Sequence, residues 1–456
     1  MYLAVESLIS EWGSLCEKMN STALSTLNHT VPKVDDLSDV ANAIFRVQDV
    51  YLLRSTDIAS GSVPGLAISG SLSAKTCFDI GRIAFDSDDH FHAIKWFQAA
   101  LSRSAEEIPP SVEEYEIYPF LASSLNQASA ANRQWAGRIA RQFEEIADKE
   151  KVEKFIKKYP DFETILDGVA NEAMIEFEEL PPITNDRLDE HQTLEQPNYE
   201  FLCRQGYRNE IPRSNSSYTC YYDRTSPYLR LAPAKVEILH HKPQLLKFHQ
   251  IISDSEIEVL RQFIGDQKKV LRAGISRVNG TPTLNTTVRD SFVVWARERD
   301  HPVVANLQKR VADVTKLNLK YSEALQLSMY GVGGHYRPHY DFSPKFSSTD
   351  APDFPNWRIA TFMFYLLEPT VGGGTAFPFA DLLVKPTKND ALFWYNLRPR
   401  GDGDHYALHA GCPVISGTKL VANQWVTNKG QEFLKKCELN EHYVTPWEAE
   451  EMVTDT

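Results

Sequence analysis

The sequence predicts an α+β multidomain chain, with an all-α N-terminal region followed by a β-rich C-terminal domain. Three observations carry this. Apolar residues in the first part recur at spacings of three and four, the period of a half-buried helix. Further on, RIATFMFYLLEP and ALFWYNL are compact apolar runs that read as buried strands. The residues best suited to chemistry, His339, Asp341, His409 and Lys419, all fall in that β-rich part.

Residues 1–60 form a helical segment, with apolar periodicity in LIS, LCEKM and VANAIFRVQDVYLL. Residues 61–180 form a second helical unit. SAKTCFDIGRIAFD pairs with HFHAIKWFQAALSRS, and PSVEEYEIYPFLASSLNQ pairs with ANRQWAGRIARQFEEIA. Trp96 and Trp135 hold comparable places 39 residues apart (135 − 96), a weak repeat like that of tetratricopeptide helix pairs. A further helix covers FETILDGVANEAMIEFEEL. Residues 181–235 read as a linker, polar and proline-containing in LPPITNDRLDEHQTLEQPNYE, with a loop from Cys203 to Cys220. Residues 236–456 form the β-rich domain. In FHQIISDSEIEVLRQFI, Ser253 and Glu256 have capping-box spacing before an apolar-periodic helix that would buttress a barrel. Arg272 to Thr287, containing RVNGTPTLNTT, reads as a mobile loop near the substrate entrance.

His339 and Asp341 stand as His-x-Asp in GVGGHYRPHYDF. Alternate side chains of a strand share a face, so the two point the same way. His409 follows 68 residues later (409 − 341), and Lys419 ten after that (419 − 409). The third ligand is expected from a strand facing the first across a barrel, with the Gly417–Thr418 turn leading to the strand of Lys419. Two imidazoles and one carboxylate cover one face of an Fe(II) ion and leave positions open for a bidentate ligand and O2. Lys419 would then hold the far carboxylate of a 2-oxo acid. A lone His-x-Asp pair arises often by chance; His409 and Lys419, in order on expected strands, change the odds. Zinc is the weaker metal reading, since catalytic zinc sites use other donor sets.

The chain has 456 residues, 42% of them hydrophobic, enough for two or three domains with sizeable cores. Net charge is −13 and the pI about 5.5, which argues against nucleic-acid binding. No apolar run has the length of a membrane span, and MYLAVESLISEW carries no basic leader. Asn-x-Ser/Thr sequons begin at Asn20, Asn28, Asn215, Asn279 and Asn285, each weak alone. Six cysteines include two locally spaced pairs, Cys203 with Cys220 and Cys412 with Cys437. Either all six are reduced, or oxidised pairs place the protein in the endoplasmic reticulum lumen.

HYRPHYDF, RIATFMFYL, VGGGTAFP, ALFWYNL, HAGCPV and NQWVTNKGQEF together resemble the catalytic domain of the collagen prolyl 4-hydroxylase α subunit. The similarity runs from about Leu231 to Cys437 and continues more weakly to the first residues. The resemblance implies a double-stranded β-helix (jelly-roll) core, with residues 61–180 as a TPR-like peptide-substrate-binding domain and the N-terminal segment serving association. It implies Fe(II), 2-oxoglutarate and O2, with L-ascorbate restoring iron after uncoupled turnover, and hydroxylation of peptidyl proline to 4-hydroxyproline with release of succinate and CO2. His339, Asp341 and His409 match the iron ligands, and Lys419 the residue that binds the distal 2-oxoglutarate carboxylate. Tyr330 and Thr375 match hydroxyl donors to the same co-substrate, and Trp425 a tryptophan near the iron. The resemblance also implies disulfides Cys203–Cys220 and Cys412–Cys437, and a collagen-like, proline-rich peptide substrate. Protein disulfide isomerase is implied as β subunit of an α2β2 assembly in the endoplasmic reticulum lumen. The missing signal peptide is then read as an N-terminal truncation.

The chain departs from the family pattern in places. Val169, Ala173 and Glu176 stand where relatives carry an Arg/Asn/Tyr set, and Phe85 and Phe91 replace tyrosines. An aromatic stripe at helical spacing is more often core than groove, so peptide binding by this region stays open. Arg337 stands where the family has Glu, in alternation with His339 and Asp341. Two rival readings remain: a 2-oxoglutarate oxygenase acting on another peptide residue, and a catalytically silent binding subunit.

Overall fold

The computed structural model describes residues 34–63, 65–66, 70–128, 136, 139–140, 143, 149–160, 162, 185, 195–208, 219–265, 270–276, 282–342 and 357–435. The chain divides into two compact units, Met1–Tyr207 and Arg208–Thr456.

The first unit is helical: α1 Val34–Tyr51, α2 Ser55–Ser60, α3 Ala74–Asp86, α4 His90–Glu106, α5 Glu114–Ala128, α6 Lys149–Lys158 and α7 Glu195–Arg208. Both helices of the expected pair α3/α4 begin at a side-chain cap. The Ser73 side chain accepts from the Thr76 N–H, and Asp89 from the His92 N–H. Gly81 lets the pair close: a Cβ there would meet the Phe97 ring at 2.7 Å. The aromatic stripe is core, with Phe45, Phe78, Trp96, Phe97, Phe120 and Phe155 buried in one cluster. Phe85 packs edge-on against Phe120. α1 is tied to α4 by polar groups as well. The Trp96 indole N–H donates to Gln48 at 2.8 Å, and the His92 ring lies between Asp89 (2.9 Å) and Asp49 (3.2 Å). LIS, LCEKM, Trp135 and most of the helices expected after residue 128 lie outside the described residues.

The stretch read as a linker is partly built structure. It contains α7, whose Tyr199, Leu202 and Cys203 are buried and whose Arg204 donates to the Val50 carbonyl at 3.1 Å. The expected Cys203–Cys220 bridge is corrected here. Cys203, on the buried face of α7, is disulfide-bonded, whereas Cys220 is an exposed free thiol on an edge strand. The pairing that the resemblance implied does not form: Cys203 lies on the buried face of its helix, whereas Cys220 is on an exposed strand edge. Cys412 is also disulfide-bonded; Cys437 lies outside the described residues.

The second unit carries strands β1 Thr219–Asp223, β2 Ala234–His241, β3 Gln244–His249, β4 Leu271–Arg272, β5 Ile275–Ser276, β6 Pro282–Thr283, β7 Arg289–Asp290, β8 Phe292–Ala296, β9 Leu325–Tyr330, β10 His335–His339, β11 Arg358–Leu367, β12 Val371–Gly372, β13 Thr375–Phe377, β14 Leu382–Val384, β15 Ala391–Tyr395, β16 His409–Gly411, β17 Val414–Ser416 and β18 Lys419–Thr427. Helices α8 Pro227–Leu231, α9 Asp254–Gly265 and α10 Pro302–Thr315 accompany them. A nine-stranded sheet runs β1-β2-β3-β15-β11-β18-β9-β8-β4, and a five-stranded sheet runs β14-β13-β16-β10-β7. Among the described residues, every strand pairing in both sheets is antiparallel.

Strand periodicity sorts the two faces of the large sheet. On β11, Phe362, Phe364 and Leu366 join Val304, Leu307 and Val311 of α10 in one core. The alternate residues Met363 and Tyr365 join Phe377 of β13 and Val384 of β14 in a second core that binds the two sheets face to face, as a jelly roll does. The expected capping box starts α9: the Ser253 N–H donates to Glu256 at 2.9 Å, and the Glu256 N–H to the Ser253 hydroxyl. Arg310 of α10 then pairs with Glu256, pinning α9 to α10.

Candidate metal centre and co-substrate pocket

The small sheet carries the two histidines. β10 and β16 are immediate antiparallel neighbours, with His339 directly opposite His409. The expectation of a strand facing across the barrel is therefore corrected: the ligand pair is a cross-strand pair, and the imidazole centroids are 4.3 Å apart. β10 ends at His339, so Asp341 reaches the site from the bend that follows rather than by strand alternation.

Each imidazole has a fixed tautomer. The Nδ1–H of His339 donates to the Arg337 carbonyl at 2.8 Å, and that of His409 to the Ala407 carbonyl at 3.0 Å. Both Nε2 lone pairs are left facing Asp341, at 3.8 Å from Oδ1 and 3.7 Å from Oδ2. The Tyr336 ring stacks on His339 with centroids 3.5 Å apart. Burial, reinforced by the neighbouring His409, holds His339 well below its usual pKa and so neutral. Burial pushes Asp341 the other way, but the two imidazoles, Arg358 and the Thr361 hydroxyl outweigh it and bring the carboxyl down to about 2. Neutral imidazole and ionised carboxylate are the states a metal ion requires.

Asp341 is held by groups on the large sheet. Its Oδ2 accepts from the Thr361 hydroxyl at 2.6 Å and from the Trp425 indole N–H at 2.9 Å. The Arg358 guanidinium lies 3.9 Å from Oδ1, 3.6 Å above the Trp425 ring, and pairs with Glu323. One ligand atom each from His339, Asp341 and His409 fall within 4.8 Å of one another. Such mutual placement, with ring nitrogens and a carboxylate preset by hydrogen bonds, fits a facial Fe(II) site.

Lys419 opens β18 beyond the Gly417 turn, where φ is +84°. The turn was legible, but β18 lies in the large sheet, between β9 and β11. The Lys419 side chain is buried, opposite Tyr330 in the register, and donates to the Thr375 hydroxyl at 3.3 Å. Thr375 in turn shares a 2.9 Å hydrogen bond with Tyr365. Among the described residues, no carboxylate lies within ion-pair distance of Lys419. Burial alone lowers its pKa to about 7. A buried cation without a counter-charge is costly, and an anionic ligand removes that cost.

One cavity joins these groups. Tyr330, Thr375 and Lys419 line one part, and His339, Asp341, His409 and Trp425 another, with Met363, Trp394 and Val421 as apolar wall. All seven residues singled out from the sequence are thus brought together. Thr361, Tyr365, Arg358, Asn423 and Arg289 were missed. Thr361 and Tyr365 carry a faint signal, as alternate polar-tipped positions in RIATFMFYLL; Arg289, buried against Tyr336 and bonded to Ser291, Gln326 and Ser328, carries none.

Comparison with known proteins agrees with this geometry. Residues 325–427 match the 2OG-Fe(II) oxygenase superfamily model, residues 74–167 the prolyl 4-hydroxylase peptide-substrate-binding domain, and residues 2–65 the prolyl 4-hydroxylase alpha-subunit N-terminal region. The chain is 37% identical over 456 residues to prolyl 4-hydroxylase subunit alpha-2 of Caenorhabditis elegans, covering 96% of this chain and 82% of the relative. It is 31% identical over 458 residues to subunit alpha-1 of Homo sapiens, covering 96% and 83%. Among solved structures, the viral collagen prolyl hydroxylase from Paramecium Bursaria Chlorella virus-1 in complex with 2OG aligns at 28% identity. That alignment has a TM-score of 0.33, over 40% of this chain and 95% of the other.

Proposed function

The chain belongs to the prolyl 4-hydroxylase alpha-subunit family and is a 2-oxoglutarate- and Fe(II)-dependent prolyl 4-hydroxylase, and on that premise we propose how its residues divide the work. His339, Asp341 and His409 hold the iron. Lys419, with the hydroxyls of Thr375 and Tyr330, holds the distal carboxylate of 2-oxoglutarate. The observation that carries this is the buried Lys419 ammonium, which has no carboxylate partner among the described residues and lines the same cavity as the His-Asp-His cluster.

With iron, 2-oxoglutarate and O2 bound, the site supplies the oxidising power that hydroxylates the prolyl C4–H bond and yields succinate and CO2. This chain's own groups position and protect. The carbonyls of Arg337 and Ala407 accept from the two Nδ1–H groups and turn both Nε2 atoms toward Asp341. Thr361 and Trp425 occupy Oδ2 of Asp341 and orient the carboxylate. Tyr365 fixes the Thr375 hydroxyl, and Met363, Val421 and Trp394 exclude water.

The finer assignments belong to the same proposal. The substrate is a collagen-like peptide, L-ascorbate maintains the iron, and protein disulfide isomerase is the β subunit, in keeping with relatives that are named as subunits. Disulfide bonding at Cys203 and Cys412 supports an oxidising compartment, the endoplasmic reticulum lumen. The exposed sequon residue Asn285 would be open to glycosylation there. The N-terminal segment serves association, residues 61–180 dock peptide, and residues 236–456 catalyse.

The deciding experiment co-expresses the full chain with protein disulfide isomerase and supplies a Pro-Pro-Gly repeat peptide. Iron-dependent succinate formation together with 4-hydroxyproline in the peptide is expected. Succinate without hydroxyproline would redirect the substrate to another residue, and neither product would leave a silent binding subunit.

A further inference from the structure

The inner face of the large sheet continues past the metal centre to an aromatic side chain left in water. The register runs Met363–Asn423–Gln326–Trp295 across β11, β18, β9 and β8, so Trp295 shares the face of Met363 and Asn423, both of which line the site cavity. Its strand neighbours Val294 and Ala296 are buried, yet Trp295 is 39% exposed. Leu271, paired with Val293 on the next strand, is 60% exposed on the same face. The Trp295 ring lies 6.0 Å from that of Trp425, whose indole N–H is bonded to Asp341. A single indole therefore separates the exposed shelf from an iron ligand.

Large apolar groups left exposed beside a reaction centre mark a contact surface. Resting on the prolyl-hydroxylase reading, we propose that Trp295 is a specificity-determining residue. Its ring, with Leu271 beside it, packs against a prolyl residue one turn of polyproline II away from the proline being hydroxylated. A polyproline II chain has three residues per turn and rises about 9 Å over that turn. It has no internal hydrogen bonds to lose, and it presents pyrrolidine faces that aromatic shelves accept. In an X-Pro-Gly repeat, the residue three positions from a target proline is again proline. A shelf one indole beyond the metal centre thus reads the period of the substrate rather than a single residue. Trp425 is unsuited to this task, because Arg358 covers one of its faces and it is 5% exposed.

The test measures hydroxylation by the full chain co-expressed with protein disulfide isomerase, on short Pro-Pro-Gly repeat peptides. Trp295→Ala should raise the peptide KM about tenfold, with kcat and the 2-oxoglutarate KM unchanged. Trp295→Phe should restore most of the loss. Leu271→Ser, at an exposed position that the fold does not need, should raise the peptide KM in the same sense. Replacing the proline three residues from the target by alanine should weaken wild type as much as the tryptophan mutation does, and should not weaken Trp295→Ala further. An unchanged peptide KM in Trp295→Ala, or equal sensitivity of both enzymes to the substituted peptide, overturns the proposal. So does a raised 2-oxoglutarate KM, which would mean that Trp295 acts only through Trp425. Wild type that makes succinate but no hydroxyproline fails the prolyl-hydroxylase reading itself, a result separable from all of these.

Discussion

At the scale of single residues, the burial of Lys419 sets a pH dependence. Its pKa is brought down to about 7, while the carboxylate it would hold needs the ammonium form. Affinity for 2-oxoglutarate should therefore be full below pH 7 and fall as the pH rises through that value. Isothermal titration calorimetry in buffers of different ionisation enthalpy should show proton uptake on binding near pH 8 and little near pH 6. Lys419→Ala should raise the 2-oxoglutarate KM by roughly tenfold to a hundredfold, the loss of one charge-assisted contact. His339→Ala, Asp341→Ala and His409→Ala should each abolish turnover and iron binding, read by metal analysis after dialysis. These four side chains were legible because chemistry demands those residue types. Their supports were not: nothing in the sequence shows that the Ala407 and Arg337 carbonyls hold the imidazoles, since any residue supplies a carbonyl.

At the scale of elements, β11 and β15 were readable as buried strands, α3 and α4 from apolar periodicity, and α9 from its capping box, all of which the structure matches; the Ser73 and Asp89 caps were not read. Pairing was less legible. An apolar strand buried on both faces has no alternation to say which neighbour it takes, and β10 and β16 prove to be adjacent rather than opposed. The VGGGTAFP segment illustrates what glycine does here. Gly372 has φ +81°, and a Cβ there would sit 2.6 Å from the Pro413 carbonyl oxygen. Gly372→Ala should cost about 1–3 kcal/mol of stability and, by shifting β13 and Thr375, raise the 2-oxoglutarate KM. Thermal melting and steady-state kinetics check the two effects. In α9, Ser253→Ala removes half of the reciprocal cap and should cost about 1 kcal/mol.

At the scale of the whole molecule, the helical unit has its own titration. Burial pulls the His92 pKa down, but Asp49 and Asp89 on either side of the ring outweigh it and raise the pKa to about 9. The unfolded chain would bind that proton with a pKa near 6.5, so the stabilisation is complete below about pH 6.5 and is lost as the pH climbs through 9. Exchange protection in α1 and α4, relative to the intrinsic rate at each pH, should fall between about pH 7 and 9.5, and His92→Gln should flatten that fall. The two-unit division was only partly visible in the sequence, because α7 lies in a polar stretch whose buried residues, Tyr199, Leu202 and Cys203, are sparse. The backbone clamps on His339 and His409 bear on how the enzyme is loaded. Each ring is aimed by a carbonyl of its own chain, whichever cation lies between them, so the donor set rather than the ring geometry ranks the cations. Nitrogen-rich sites of this kind follow the Irving–Williams ranking, which puts copper and zinc ahead of ferrous iron. Which metal ends up in place is then governed by what the surrounding compartment offers, and trace zinc should poison a purified preparation until a chelator and fresh ferrous salt reverse it.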